Sequence, residues 1–174
     1  MPLDNTIEFL PLHIAILTVS DTRRTENDTS GQILVDRLKD AGHILAARAI
    51  VRDEKDKLSA QLTEWINDEN IQVIIATGGT GLTGRDITPE VFHKLYDKEI
   101  EGFGEIFRLT SYKLIGTSTI QSRATGGVAN GTYMFALPGS NGACRDGWDN
   151  ILKEQLDIRF RPCNFAEMMP RLIE

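Results

Sequence analysis

The chain has 174 residues, 41% hydrophobic and 25% charged, enough for one domain with a sizeable core and ordinary for a soluble globular protein. A formal net charge of -6 argues against general nucleic-acid binding, so an anionic ligand would have to be drawn by local groups. The two cysteines, Cys144 and Cys163, stand far apart and form no CxxC, which suggests reduced thiols and neither a disulfide framework nor a zinc site.

Residues 1–11 read as an arm. They carry Asp4 and Glu8 and have no basic start or long apolar stretch, unlike a secretory signal. No apolar run in the chain approaches a membrane span, so the expected location is cytoplasmic, without membrane contact. The continuous apolar run 14–19 predicts a strand buried on both faces. A polar loop follows over 20–28, then a helix over 30–41 with Ile33, Leu34 and Leu38 on one face and Gly42 as its stop. Residues 44–51 are strand-like, and 55–67 place Leu58, Leu62, Trp65 and Ile66 at helical spacing.

A third strand is expected over 71–76, then a glycine-rich loop and a helix over 89–97. Residues 101–114 predict another helix, with Phe103, Ile106, Phe107 and Thr110 on one face. The Gly-, Ser- and Thr-rich segment 115–131 reads as a loop with one short strand near 118–120. Residues 133–137 form a strand ending in Pro138-Gly139-Ser140. A last helix over 142–156 turns Cys144, Trp148, Ile151 and Leu152 inward, and the tail 157–174 is kept irregular by Pro162 and Pro170. His13, His43 and His93 are scattered without ligand spacing. Strands alternating with helices predict a single three-layer α/β/α domain over 1–174 with a mostly parallel sheet. In such a sheet the ligand sits beyond the carboxyl ends of the strands. Three runs end there in unusual loops: Val19-Ser20-Asp21, Thr77-Gly78-Gly79-Thr80-Gly81 and Pro138-Gly139-Ser140.

The loop after the third strand carries the most chemistry. Four glycines at 78, 79, 81 and 84 let the backbone approach a ligand closely. Arg85 and Asp86 follow, then Thr88 as the expected N-cap, Pro89 at the first helical position and Glu90 in the first turn. Backbone N–H groups, a cation and a carboxylate together suit a phosphate and its Mg²⁺. Gly79-x-Gly81-x-x-Gly84 spells the dinucleotide fingerprint, but the helix starts after the last glycine, and the acids near the later fingerprint position, Asp97, Glu99 and Glu101, read as a helix-like charged region. A P-loop would need Lys then Ser or Thr where Arg85-Asp86 stand. The bland alternative is a tight strand-to-helix connection.

Thr77 to Glu90 is close to the TGGTG-x-x-x-RD-x-TPE signature of the MoaB/MogA family of molybdenum-cofactor biosynthesis proteins. The resemblance extends to Leu17–Asp21, to Asp28-Thr29-Ser30-Gly31, to Ser122-Arg123-Ala124 and to Leu137–Ser140. The segments 101–105, 116–118 and 161–165 resemble the MoaB branch. The resemblance implies a molybdopterin-binding fold and a trimeric or hexameric homo-oligomer. It also implies a pathway in which transferase members attach AMP to the terminal phosphate of molybdopterin, using ATP and Mg²⁺. On it, Asp86 matches the family's essential acid and Asp53 a second acid after a strand, and both are implied as catalytic acids and Mg²⁺ ligands. Gly78, Gly79, Thr80, Gly81 and Arg85 would hold nucleotide phosphates, with Ser20, Asp21, Ser30 and Gly31 beside them. Ser122 matches a serine of the pterin pocket, and Gly139 and Ser140 would close another side. Three readings stay open: an adenylyltransferase, a non-catalytic binding member acting as carrier or assembly partner, and a scaffold with a vestigial pocket.

Overall fold

The structure, a computed structural model, describes residues 3–174. In chain order it contains β1 (His13–Val19), α1 (Thr29–Asp40), β2 (Ile44–Val51), α2 (Lys55–Ile66), β3 (Val73–Thr77), α3 (Thr88–Leu95), β4 (Lys98–Glu99), α4 (Glu101–Ile115), β5 (Thr125–Ala129), β6 (Thr132–Leu137), α5 (Asn141–Gly147), α6 (Lys153–Gln155) and α7 (Phe165–Met168). A π-helical segment, Trp148–Leu152, joins α5 to α6. The six strands form one sheet in the order β2-β1-β3-β6-β5-β4. The first four run parallel, and β5 is antiparallel to both β6 and β4.

The strand alternation decides which helix covers which face. Ile14 and Ile16 of β1 point into a core with Leu34 and Leu38 of α1, Phe103 and Phe107 of α4, and Trp148. Their neighbours Ala15, Leu17 and Val19 point the other way, against Leu58, Leu62 and Trp65 of α2 and Phe92 of α3. Because both faces are covered, the central strands are apolar throughout rather than alternating. Each large side chain so buried contributes about 1.5–3 kcal/mol, and truncating the fully buried Phe92 to alanine would cost about 3–5 kcal/mol. The expected three-layer, mostly parallel α/β architecture is therefore present.

The connections fix where a ligand can sit. From β1 the chain moves outward through α1, on one face, to β2. It then returns through α2, on the other face, to β3 on the far side of β1. The crossovers thus diverge between β1 and β3, opening a crevice at their carboxyl ends.

Three expectations fail locally. Residues 116–121 form a 3₁₀ turn, not a strand near 118–120. The strand lies later, at β5, where Gly126 and Gly127 lower the β signal. The Asn130-Gly131 turn, with φ of 47° and 78°, is the hairpin signature that marks it. The tail is not wholly irregular: Asn164 accepts the Glu167 N–H at 2.7 Å and caps α7, and Met169–Arg171 adds a 3₁₀ turn. The arm pairs with the tail through a Leu3–Phe160 bridge. Ile106, expected on the inward face of α4, is 48% exposed, while Phe103 and Phe107 alone of the apolar expectations face the sheet.

Candidate ligand-binding site

The glycine loop leaves β3 at the edge of the sheet and is braced from below. Gly78 has φ +103°, and a Cβ there would lie 2.2 Å from the Val19 carbonyl oxygen, so only glycine lets β3 pass the end of β1. Thr88 does not cap α3 as expected. Ile87 occupies the cap position without a side-chain bond. The Thr88 hydroxyl instead donates to the Gly78 carbonyl, and its N–H to the Gly79 carbonyl, each at 2.9 Å.

Asp86 closes the loop. Its carboxylate accepts from the Thr83 N–H at 2.8 Å and the Thr83 hydroxyl at 2.6 Å. Burial pushes the carboxyl up, but the Thr83 bonds, the Gly81 N–H and the Arg123 charge outweigh it, holding Asp86 below the usual aspartate range. The guanidinium of Arg123, just before β5, donates to the carbonyls of Gly81 at 2.8 Å, Thr80 at 3.3 Å and Asp86 at 3.0 Å. It also pairs with Glu90.

The β1 end is fastened by Asp28, whose side chain is wholly buried. It accepts from the Thr18 hydroxyl at 2.9 Å and the Gly31 N–H at 3.0 Å, capping α1, and pairs with Arg48 of β2 at 3.0 Å. On the third side, Ser140 caps α5 by accepting the Ala143 N–H at 3.1 Å. The Thr77 hydroxyl ties β3 to this loop by donating to the Pro138 carbonyl at 3.1 Å.

These loops surround a cavity of about 530 Å³, closed on its remaining side by Phe107, Ser111 and Ile115 of α4 and by the 3₁₀ turn after it. Of the residues singled out in the sequence, Ser20 and Ser30 line it from the β1 side, and Gly78, Gly79, Thr80, Gly81 and Asp86 from the glycine loop. Ser122, Gly139 and Ser140 complete the wall.

Four others do not line it. Asp21 and Arg85 form an ion pair at 2.7 Å, with both side chains more than a third exposed. The Arg85 bond holds the Asp21 carboxyl down despite some burial. Gly31 faces Asp28: a Cβ there would lie 2.2 Å from Asp28 Oδ2, so glycine serves the cap rather than the ligand. Asp53 packs behind the glycine loop, 2.8 Å from where a Gly79 Cβ would stand. Its carboxyl is pushed up, first by burial and then by the Asp21 charge, with Arg85 opposing.

Sequence reasoning passed over Arg123, Asp28, Phe107 and Asp146, the last also in the cavity wall. Arg123 and Asp28 stood inside the quoted motifs, beside Ser122 and before Thr29. Phe107 read as core or subunit seam, and Asp146 gave no signal.

Among the described residues, no three or more His, Cys, Asp or Glu side chains gather as a metal cage. Asp86 and Asp53 offer hard oxygen donors only. Of the two, Asp86 alone stands in the cavity wall, and such oxygens are the donor type Mg²⁺ takes together with phosphate and water. The histidines stay apart. His43 is buried, accepts the Leu12 N–H at 3.1 Å on Nδ1, and packs beside Phe9 and Trp148. No helix among the described residues is long and apolar enough to cross a membrane.

Residues 15–157 match a family model described as "Probable molybdopterin binding domain". The chain is 54% identical over 158 residues to "Molybdenum cofactor biosynthesis protein B" of Escherichia coli (strain K12), covering 91% of this chain and 93% of that protein. A crystal structure of a molybdenum cofactor biosynthesis protein B superposes with a TM-score of 0.82 at 41% identity, covering 84% of this chain and 92% of the other. The tungsten cofactor synthesizing protein MoaB from Pyrococcus furiosus superposes with a TM-score of 0.74 at 37% identity, covering 83% and 92%.

Proposed function

The chain belongs to the molybdopterin-binding domain family of molybdenum cofactor biosynthesis proteins, and from that premise we propose that its cavity holds molybdopterin beside a nucleotide and transfers AMP from Mg-ATP to the molybdopterin phosphate. The observation that carries this reading is Asp86: a carboxylate kept ionised by Thr83, in the cavity wall, beside the backbone of Gly78–Gly81.

In this reading a terminal phosphate oxygen of molybdopterin attacks the α-phosphorus of ATP. The new P–O bond forms as the bond to pyrophosphate breaks, and pyrophosphate leaves with the electron pair. The attacking phosphate is already anionic, so the protein needs no strong base; positioning and charge neutralisation supply the rate. Mg²⁺, when bound, supplies positive charge against the polyphosphate. The N–H groups of residues 78–81 would cradle phosphate oxygens, and Asp86 would orient the hydrated cation. Ser122 would face the pterin, while Ser20, Ser30, Gly139 and Ser140 shape the remaining wall. Arg85 and Asp21 would guard the mouth as a pair rather than grip phosphate directly.

The reading includes a cytoplasmic homo-oligomer, a trimer or hexamer. Support for assembly comes from the outer face of α4, where Leu109, Tyr112 and Leu114 are all exposed.

Asp53 favours a second reading, a carrier or assembly partner that binds molybdopterin without turnover. The second acid lies outside the cavity wall, with its carboxyl pushed toward the neutral form. The two readings separate on mixing the protein with molybdopterin, ATP and Mg²⁺ and looking by mass spectrometry for adenylylated molybdopterin. Product from the native chain and none from Asp86→Asn supports transfer. Intact molybdopterin binding without product supports the carrier.

A further inference from the structure

We propose that Asp146 is the specificity-determining residue of the cavity, reading the 2-amino-4-oxo pyrimidine edge of a pterin slotted between α4 and α5; this rests on the molybdopterin-binding reading above. The face of α5 turned to the cavity consists of Gly142, Ala143 and Asp146. Two small residues precede one acid, so the helix surface is flat where a ring would lie. A Cβ at Gly142 would meet no heavy atom within 4 Å, so the space beside it is open. Phe107 and Ile115 of α4 line the same cavity and supply apolar surface for the ring.

Asp146 is one of two carboxylates in that wall, and the two differ in their commitments. Asp86 is held by Thr83, whereas the Asp146 carboxylate has no hydrogen-bond or ion-pair partner among the described residues. Burial pushes its carboxyl up, with Arg145 opposing. A half-buried carboxylate without donors is satisfied by a ligand that brings two. The N3–H and 2-amino group of a pterin are adjacent donors spaced for both oxygens of one carboxylate, a bidentate and charge-assisted pairing. The division of labour in the cavity follows: main-chain N–H groups of the glycine loop toward phosphate, and an acid on α5 toward the cationic-leaning edge of the ring.

Guanine presents the same edge, so the test compares both ring sources. Native protein is titrated calorimetrically with 6-hydroxymethylpterin and with 6-hydroxymethyllumazine, whose 2-oxo group replaces the 2-amino group. GMP and XMP form the parallel pair. The native chain is expected to prefer the pterin by about tenfold or more, the value of a charge-assisted hydrogen bond, and any GMP-over-XMP preference should accompany it and depend on Asp146 in the same way. Asp146→Asn places an amide NH₂ opposite the 2-position and is expected to turn the preference toward lumazine. A mere structural role would not produce that reversal. Asp146→Ala, checked for an unchanged circular dichroism spectrum, should abolish the preference without reversing it. A native preference retained in both variants overturns the assignment while leaving molybdopterin binding standing. A preference confined to GMP overturns it in favour of a nucleobase site. Failure of the native chain to bind either pterin or lumazine, or molybdopterin itself, overturns the parent reading as well.

Discussion

Arg123 holds Asp86 by the main chain, not by the carboxylate: its Nη2 donates to the Asp86 carbonyl at 3.0 Å, while Thr83 fixes the carboxylate from the other side. One guanidinium therefore sets the path of the glycine loop and leaves the acid's oxygens aimed elsewhere. Since Ser122 precedes Arg123 and lines the cavity, the wall proposed to face the pterin and the loop proposed to cradle phosphate are joined through a single side chain.

Arg123→Ala should loosen this join. Three loop carbonyls lose their donor and Glu90 loses its partner. We expect turnover in the adenylylation assay to fall about 10²-fold, the scale of an ångström-sized misplacement. Arg123→Lys should recover little, because one ammonium cannot reproduce the planar fork that spans these acceptors. Trypsin or glutamyl-endopeptidase nicking within 78–90, followed by mass spectrometry, should rise in both variants. Unchanged nicking and unchanged turnover would remove Arg123 from this role.

Thr83 sets the protonation of Asp86. The carboxyl lies below its ordinary value because the Thr83 bonds, with the Gly81 N–H and Arg123, overcome burial. Its stabilising contribution is thus present above the unfolded aspartate pKa and is lost as pH falls through the lower folded value. Thr83→Ala removes the hydroxyl and should raise the Asp86 pKa, moving the acid limb of Mg-ATP binding to higher pH. A calorimetric pH series checks this. Superimposable acid limbs for the native chain and T83A would refute it.

The helices, the four parallel strands and the converging loops were legible because each rests on a local pattern. Ile14 to Val19 is apolar at every position, and Leu58, Leu62 and Trp65 recur at helical spacing. Residues 125–129 were illegible because two glycines in five residues hide a strand whose stability comes from β6, not from its own propensity. The site divided in the same way. The glycine loop and Asp86 announce themselves in one motif. Asp53 and Arg85 stood beside Asp86 as site candidates in sequence, but their orientation depends on Gly79 and Asp21, residues brought near only by the fold. Asp146 lies on a helix whose neighbouring positions read as ordinary core and surface.

Arg48 should matter for stability well beyond an ordinary surface arginine. It pairs with Asp28, whose side chain is wholly buried and which also binds Thr18 and caps α1. Arg48→Ala would leave a buried carboxylate without its cation, a loss of about 3–5 kcal/mol. Urea denaturation should show the midpoint falling with an unchanged m-value. Arg37→Ala, which breaks the exposed pair with Asp149, should cost no more than about 1 kcal/mol. Equal effects from the two would contradict this account.

His43 should make stability depend on pH. Its ring is only 5% exposed, and burial lowers its pKa from 6.5 to about 4, with Asp157 opposing. The folded state therefore keeps the ring neutral, with Nδ1 accepting the Leu12 N–H, while the unfolded chain takes up a proton below pH 6.5. The folded pKa is the lower one, so this contribution is complete above about pH 6.5 and drains away as pH falls toward 4. Its full size is about 3 kcal/mol at 1.36 kcal/mol per pKa unit. His43→Gln keeps an acceptor for Leu12 but cannot titrate. Urea unfolding at pH 7.0 and pH 5.0 should show the native chain losing more than H43Q, by about 2 kcal/mol on the same scale. A parallel decline in both proteins would assign the acid sensitivity to the carboxylates instead.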